Sequence, residues 1–200
     1  MNNKQEAIQK IYNDIVALKS SPLYEYRVAN NYHAVIGEGS LDAAIMFVGE
    51  APGQNEAKQG RPFCGAAGRV LDELLNSVGL KRENIYITNI VKDRPPENRD
   101  PTPKEIELYA PFLDEQIKII KPKVIATLGR FSMAYIMNRL KIGDKLDTIS
   151  KIHGKKFTAK VSWGDITVIP LFHPASALYQ ASKKPVLVKD FEIMKDVAQQ

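Results

Sequence analysis

Four side chains of this sequence could take part in chemistry, and three of them are polar. Glu50, Asn89 and His173 each lie at or near the carboxyl end of a short apolar run. A carboxylate, an amide and an imidazole in one place can support general acid–base or electrostatic catalysis. An asparagine amide donates and accepts hydrogen bonds at once, so Asn89 could read the edge of a nucleobase. Phe63 could supply a flat face on which a base stacks.

Alternating strands and helices must position these side chains. Four apolar runs have the length of buried strands: 44–48, 84–91, 122–129 and 167–172. Helical patterns cover 3–19, 65–78, 103–120, 130–140 and 185–198, and the basic segment 141–160 is expected to be a loop with a short hairpin. This alternation predicts an α/β fold with a parallel sheet covered on both faces. Because the strands of such a sheet end at the same edge, the polar groups should meet there.

The turn after the first strand is the most informative stretch. Gly49-Glu50-Ala51-Pro52-Gly53 combines two glycines and a proline, which forces a tight turn and exposes a row of backbone amides. A glycine-rich loop is expected to follow it.

Each of these residues also has an ordinary structural explanation. Glu50 could be a solvated side chain, Asn89 could satisfy backbone groups at a strand end, and His173 before a proline could be a turn residue. Phe63 could belong to the core. No single residue decides between the two interpretations.

The composition indicates one soluble domain spanning residues 1–200. Apolar residues make up 44% and charged residues 26%, and no apolar run approaches the roughly 20 residues of a membrane span. The N-terminus has no apolar signal core, so we expect a cytoplasmic protein. A formal net charge of +5 suits a polyanionic partner such as nucleic acid.

Metal chemistry has little support in the sequence. The only cysteine, Cys64, excludes an internal disulfide and a cysteine-only metal site. The three histidines are scattered and show no metal-ligand spacing. We therefore expect neither a metal nor a cofactor.

Several motifs in order resemble the family 4 (thermostable-type) uracil-DNA glycosylases. They are Gly49-Glu-Ala-Pro-Gly53, Gly60-Arg-Pro-Phe-Cys-Gly-Ala-Ala-Gly68, Ile87-Thr-Asn-Ile-Val-Lys92, Arg94-Pro-Pro-Glu-Asn-Arg99 and His173-Pro-Ala175. The resemblance extends over roughly residues 18–197. It implies a three-layer α/β/α sandwich around a four-stranded parallel sheet, and a monofunctional enzyme that releases uracil from DNA and leaves an abasic site.

The resemblance also implies roles for the site residues. Glu50 corresponds to the acid that positions or activates water or stabilises the cationic sugar, and His173 to the histidine that hydrogen-bonds uracil O2. Phe63 corresponds to the stacking aromatic and Asn89 to the amide that reads N3 and O4. The remaining substrate-binding residues belong to the first motif and the residues just after it: Gly49, Ala51, Pro52, Gly53 and Glu56. Of these, Glu56 or the Pro52-Gly53 backbone could exclude thymine.

One departure from the family is large. Family 4 enzymes typically hold an iron–sulfur cluster on four cysteines, and the corresponding positions here are Leu18, Ser21, Asp93 and Tyr109. These side chains lack the thiolates that such a cluster needs. We therefore expect no cluster, with packing taking over its anchoring role.

Contacts with DNA are expected around the site. Leu178, in the segment that also contains Ser176 and Ala177, is the expected wedge that fills the gap left by a flipped base. The candidate phosphate contacts are Arg61, Arg94, Arg99, Lys151, Lys155, Lys156, Lys183 and Lys184. Two alternatives stay open: an inactive DNA-binding module with this fold, and a glycosylase for another deaminated base. The expected partner is uracil-containing DNA, bound by a monomer.

Overall fold

Short apolar runs form the central strands of a single sheet in the computed structural model, which describes residues 3–194. The strands are β1 (Glu38–Gly39), β2 (Ile45–Gly49), β3 (Tyr86–Asn89), β4 (Val124–Leu128), β5 (Phe157–Val161) and β6 (Gly164–Leu171). The helices are α1 (Asn3–Val16), α2 (Tyr24–Ala29), α3 (Gln54–Gln59), α4 (Ala66–Ser77), α5 (Pro103–Ile120), α6 (Arg130–Arg139), α7 (Ile149–Ile152), α8 (Ser176–Tyr179) and α9 (Lys183–Glu192). Three 3₁₀ turns cover Arg82–Asn84, Pro96–Asn98 and Gly143–Lys145.

The sheet order is β1-β3-β2-β4-β6-β5. The four central strands run parallel, and every residue of β2, β3 and β4 is buried, as expected for strands covered on both faces. The two edge strands are antiparallel to their neighbours, so the sheet has six strands rather than the four that were expected. Neither of these edge strands, β1 or β5, changes the edge of the sheet at which the parallel strands end.

Alternating side chains of the sheet divide the core into two layers. Phe47 and its neighbours on one face pack against α4 and α9, and the rings of Phe47 and Phe191 stack 5.8 Å apart. Met46 and Val48 on the other face pack against α5 and α6. This arrangement confirms the three-layer α/β/α sandwich that the sequence predicted.

A third apolar cluster joins the N-terminal helices to the sheet layer. Ile11 and Ile15 of α1 and Leu23 pack against Tyr109 of α5. Helix α5 begins with a complete capping box, in which Thr102 and Glu105 satisfy each other's backbone N–H groups. Its N-terminal end therefore stays fixed beside the proline-rich segment 94–101 that precedes it.

Several local predictions were wrong. The loop expected after the first turn contains helix α3, and residues 24–36, whose aromatic sequence has no regular pattern, contain helix α2. The hairpin expected within 141–160 is formed instead by β5 and β6, at 157–171. The last helix begins at Lys183, and the predicted part of it beyond residue 194 lies outside the described residues.

Residues 3–194 contain no helix with the length and apolar character needed to cross a membrane.

Candidate active site

A cleft of about 970 Å³ opens at the carboxyl ends of the parallel strands. The pairing of Gly49 with Asn89 in the β2–β3 ladder places the two strand ends level with each other. The cleft thereby brings together most of the site residues predicted from the sequence. Those that line it are Glu50, Ala51, Pro52, Gly53, Glu56, Phe63, Asn89, Arg99, His173, Ser176 and Leu178.

Asn89 presents an unsatisfied amide oxygen to this cleft. The residue is 2% exposed, and its Oδ1 has no hydrogen-bond partner among the described residues. Buried polar atoms without partners are rare and costly, so this oxygen is available for a ligand. The backbone around it is firmly held, because Ile90 N–H donates to the Gly49 carbonyl over 3.1 Å.

Gly49 does not line the cleft, but it sets the space in which Asn89 and Phe63 meet. A Cβ on Gly49 would collide with Asn89 Oδ1 and would lie 2.9 Å from the Phe63 ring. The close approach of the amide and the ring therefore requires glycine at this strand end.

Phe63 is held in an unusual backbone conformation. Its φ of 48° lies in the left-handed region, which costs energy for a residue with a side chain. Arg82 stabilises the loop by donating to the Phe63 carbonyl (3.1 Å) and to the Pro62 carbonyl, and it also pairs with Asp72. Gly68 leaves room for the Phe63 backbone. The ring lies 5.6 Å from the His173 ring, at an angle of 30°.

His173 is neutral and has a defined tautomer. The backbone N–H of Ala175 donates to His173 Nδ1 over 3.1 Å, so the ring proton resides on Nε2. Burial lowers the pKa of His173 to about 4. The ring can therefore donate a hydrogen bond from Nε2 without carrying a charge at neutral pH.

Glu50 places a carboxyl that titrates near neutral pH in the cleft. Its pKa is raised to about 7, first by burial and second by the negative charge of Asp100, while Arg130 opposes the rise. At pH 7 the carboxyl group is consequently divided between its two protonation states. A group poised in this way can accept a proton from water or stabilise a developing positive charge.

Glu56 closes one side of the cleft. Its Oε1 accepts a hydrogen bond from Gly65 N–H at 3.2 Å, and its Oε2 lies against Gly53. The side chain thus connects the turn after β2 to the start of α4. Its role in excluding thymine stays a prediction.

Sequence reasoning missed a pair of charged residues across the cleft. Arg130 Nη2 lies 2.6 Å from Asp100 Oδ2, and both residues line the cavity. The pair joins the proline-rich segment to α6. Its position was visible in the sequence, since Arg130 directly follows the glycine that ends the third predicted strand.

The predicted DNA contacts fall into two groups. Arg99, Ser176 and Leu178 line the cleft, and Leu178 is 48% exposed. The Arg99 guanidinium also forms a two-point ion pair with Glu105. Arg61, Ala177 and Lys183 do not line it: Arg61 forms a two-point ion pair with Glu38, and the Lys183 ammonium lies 3.9 Å from the centre of the Phe172 ring.

Arg94 has a structural position that argues against a phosphate contact. It is 8% exposed, and its Nη1 donates to the hydroxyls of Tyr26 and Tyr32 over 3.2 and 3.0 Å. Its Nε donates to Asn98 at 2.8 Å. These bonds hold the proline-rich segment against α2. The sequence could not show this burial, because arginine is mostly exposed in proteins.

The residues at the expected cluster positions do converge, but they do not fit an iron–sulfur cluster. The Tyr109 hydroxyl lies 2.8 Å from Ser21 Oγ and donates to Asp93 Oδ2 over 2.6 Å. Arg27 Nε lies 3.1 Å from Asp93 Oδ1, and Leu18 packs beside the group. The donors are oxygens already engaged with one another, whereas a cluster needs thiolates. The anchor at this place is therefore a buried polar network as well as apolar packing.

Comparison with known proteins identifies the family of this chain. The model of the uracil DNA glycosylase superfamily matches residues 36–195. A type-4 uracil-DNA glycosylase of Sulfurisphaera tokodaii is 44% identical over 194 residues, which cover 96% of this chain and 86% of the relative. Those of Saccharolobus solfataricus and Archaeoglobus fulgidus are 46% and 42% identical, over 82% and 94% of this chain and 76% and 91% of their own lengths. The family predicted from the motifs is confirmed, and this chain belongs to the uracil DNA glycosylase superfamily.

Proposed function

We propose that this protein is an active uracil-DNA glycosylase, which hydrolyses the N-glycosidic bond of deoxyuridine flipped out of DNA. The observation that carries the proposal is the unpartnered amide oxygen of Asn89, which lies in one cleft with a neutral His173 and the ring of Phe63. The similarity to type-4 enzymes supports the activity and gives no support to the alternatives, an inactive module or an enzyme for another base.

Recognition of uracil would rest on the hydrogen-bonding pattern of its edge. Asn89 Oδ1 accepts from N3–H and the Asn89 amide nitrogen donates to O4, while the base stacks on Phe63. Cytosine presents the opposite pattern, an acceptor at N3 and a donor at C4, and would leave the amide unpaired. Unpaired buried polar groups are penalised strongly, so this contact can reject cytosine.

Bond cleavage would be assisted from both sides of the glycosidic bond. As the bond between C1′ and N1 breaks, its electron pair leaves with the base, and negative charge grows on O2. His173 donates from Nε2 to that oxygen, an interaction that strengthens in the transition state. Glu50, when ionised, stabilises the cationic sugar and accepts the proton of the water that attacks C1′. The departing uracil anion takes up a proton from solvent and Glu50 returns its proton to solvent, so the products are free uracil and an abasic site.

Binding of DNA would use the open side of the cleft. Flipping a base costs a few kcal/mol, and uracil mispaired with guanine lowers that cost. Leu178 enters the space left by the base, and Arg99 and Arg130 lie at the cleft for phosphate contacts. We further propose that the protein acts as a monomer and works in the cytoplasm.

The proposal is tested by incubating uracil-containing oligonucleotides with the protein and treating them with alkali, which breaks abasic sites. Wild type should release uracil, Glu50→Gln should lose most activity, and Asn89→Asp should lose uracil selectivity. Salt-sensitive DNA binding without strand breaks would indicate an inactive module instead. Breaks at hypoxanthine but not at uracil would indicate the other alternative.

A further inference from the structure

A fully buried lysine lies directly behind the base-reading residue. Lys92 has an exposed fraction of 0%, and its Nζ is within hydrogen-bond distance of three oxygens. These are Thr88 Oγ1 at 2.7 Å, the Asn89 main-chain carbonyl at 2.7 Å and Gln116 Oε1 at 2.5 Å. Within residues 3–194, no carboxylate pairs with this amine. The mechanism of bond cleavage does not use it.

The network around Lys92 is complete in either protonation state. A charged amine donates to all three oxygens, and the Thr88 hydroxyl then donates to the Ile36 carbonyl over 2.7 Å. A neutral amine donates to Asn89 and Gln116 and accepts from the Thr88 hydroxyl, while Gln116 Nε2 still donates to Ile36 over 2.8 Å. Burial lowers the pKa of Lys92 well below its usual range, which favours the neutral arrangement.

These contacts connect the end of β3 to helix α5 and to the segment before β1. Through Lys92, the Asn89 carbonyl is joined to Gln116 of α5, and Gln116 Nε2 also donates to the Tyr86 hydroxyl at 3.0 Å. The main-chain carbonyl of Lys92 accepts from Val35 N–H at 2.8 Å. The peptide after Asn89 is therefore held from the side of the sheet opposite to a bound base.

We propose that Lys92 is a positioning residue for uracil recognition, because it holds the Asn89 carbonyl and thereby sets the direction in which the Asn89 amide enters the cleft. The inference rests on the base-reading role proposed above for Asn89. Lys92 touches no substrate and acts only through Asn89. A residue that merely stabilised the fold would show a different pattern in a double-mutant cycle, since its effect would not depend on the Asn89 side chain.

The test measures single-turnover excision from a U·G duplex by four proteins: wild type, Lys92→Met, Asn89→Ala and the double variant. Methionine keeps the apolar stem and removes the three donors. We expect Lys92→Met to slow excision roughly ten- to hundredfold, as a misplaced amide would. In the Asn89→Ala background, the same substitution should change the rate by less than about threefold, because there is no amide left to position.

Binding supplies a second readout. A duplex with a tetrahydrofuran abasic analogue carries no base, so its affinity does not depend on Asn89. Lys92→Met should bind this duplex as wild type does. Weakened binding of the abasic duplex in proportion to the loss of excision would overturn the proposal, because the substitution would then disturb the whole cleft.

Two further variants keep the test decisive. Tyr109→Phe is a matched control that removes a buried hydroxyl in the separate network around Asp93, and it should combine additively with Asn89→Ala. If Lys92→Met does not fold, Gln116→Leu takes its place, because it removes a partner of the same amine. Gln116→Leu should slow excision when Asn89 is present and should have little effect on excision in the Asn89→Ala background.

The outcomes separate this inference from the site assignment. The positioning role is overturned if Lys92→Met slows excision as much in the Asn89→Ala background as in wild type. It is also overturned if Lys92→Met does not slow excision in wild type. Full excision by Asn89→Ala overturns the proposed role of Asn89 itself, whatever the lysine does.

Discussion

Replacing Glu50 by glutamine should abolish most activity and, at the same time, stabilise the protein above neutral pH. The Glu50 carboxyl has a pKa of about 7 in the folded protein against an ordinary value of 4.5, because burial disfavours its charge. A carboxyl group whose pKa is raised on folding destabilises the folded state once the pH exceeds the pKa of the unfolded state. This loss of stability is complete when the pH is above the pKa of the folded state. Glutamine has the shape of the protonated side chain and carries no such cost.

The magnitude follows from the two pKa values. The difference between about 7 and 4.5 corresponds to about 3 kcal/mol in the free energy of unfolding at pH 8. Because the cleft is open to water, we expect about 1–2 kcal/mol. For a domain of this size, that raises the melting temperature by about 2–8 °C. At pH 5, most of the gain should be absent, since the folded carboxyl is then protonated.

The assay is thermal unfolding of wild type and Glu50→Gln at pH 5 and pH 8, with uracil excision measured on the same samples. Glu107→Gln, which removes an exposed glutamate of α5, is the control and should change neither quantity. An equal difference in melting temperature at both pH values would refute the reasoning. So would a Glu50→Gln variant that is less stable than wild type at pH 8.

Three other substitutions test separate parts of the structure. Gly49→Ala places a methyl group against Asn89 and Phe63, so single-turnover excision should fall about tenfold or more while circular dichroism shows an intact fold. Tyr109→Phe removes a buried bridging hydroxyl and should lower the free energy of unfolding by about 1–3 kcal/mol in urea titrations, with excision unchanged at 25 °C. Leu178→Ala shortens the exposed wedge and should slow excision from duplex DNA several-fold but hardly affect single strands; an unchanged ratio of the two rates would contradict the wedge role.

The central part of the site was predictable because it depends on sheet topology. Parallel strands end at one edge, so residues after such strands must meet, and Glu50, Asn89 and His173 do line one cleft. The apolar runs that identify these strands are strong local signals. The prediction therefore needed no knowledge of side-chain contacts.

The parts that sequence reasoning missed depend on pairings between distant segments. Arg27 is buried because it pairs with Asp93, and Arg94 is buried because two tyrosine hydroxyls accept its donors. Neither pairing has a local pattern, and isolated arginines are normally read as exposed. The two-residue strand at Glu38–Gly39 is likewise too short to leave a periodic signal.

The polar network of Ser21, Asp93 and Tyr109 also affects how the protein matures. Hydroxyl and carboxylate oxygens require no inserted prosthetic group, and they exist as soon as the chain is synthesised. A thiolate-bound cluster, in contrast, depends on metal supply and on intact cysteines. The segments that this network joins can thus assemble by folding alone, and no thiol at that position can be oxidised.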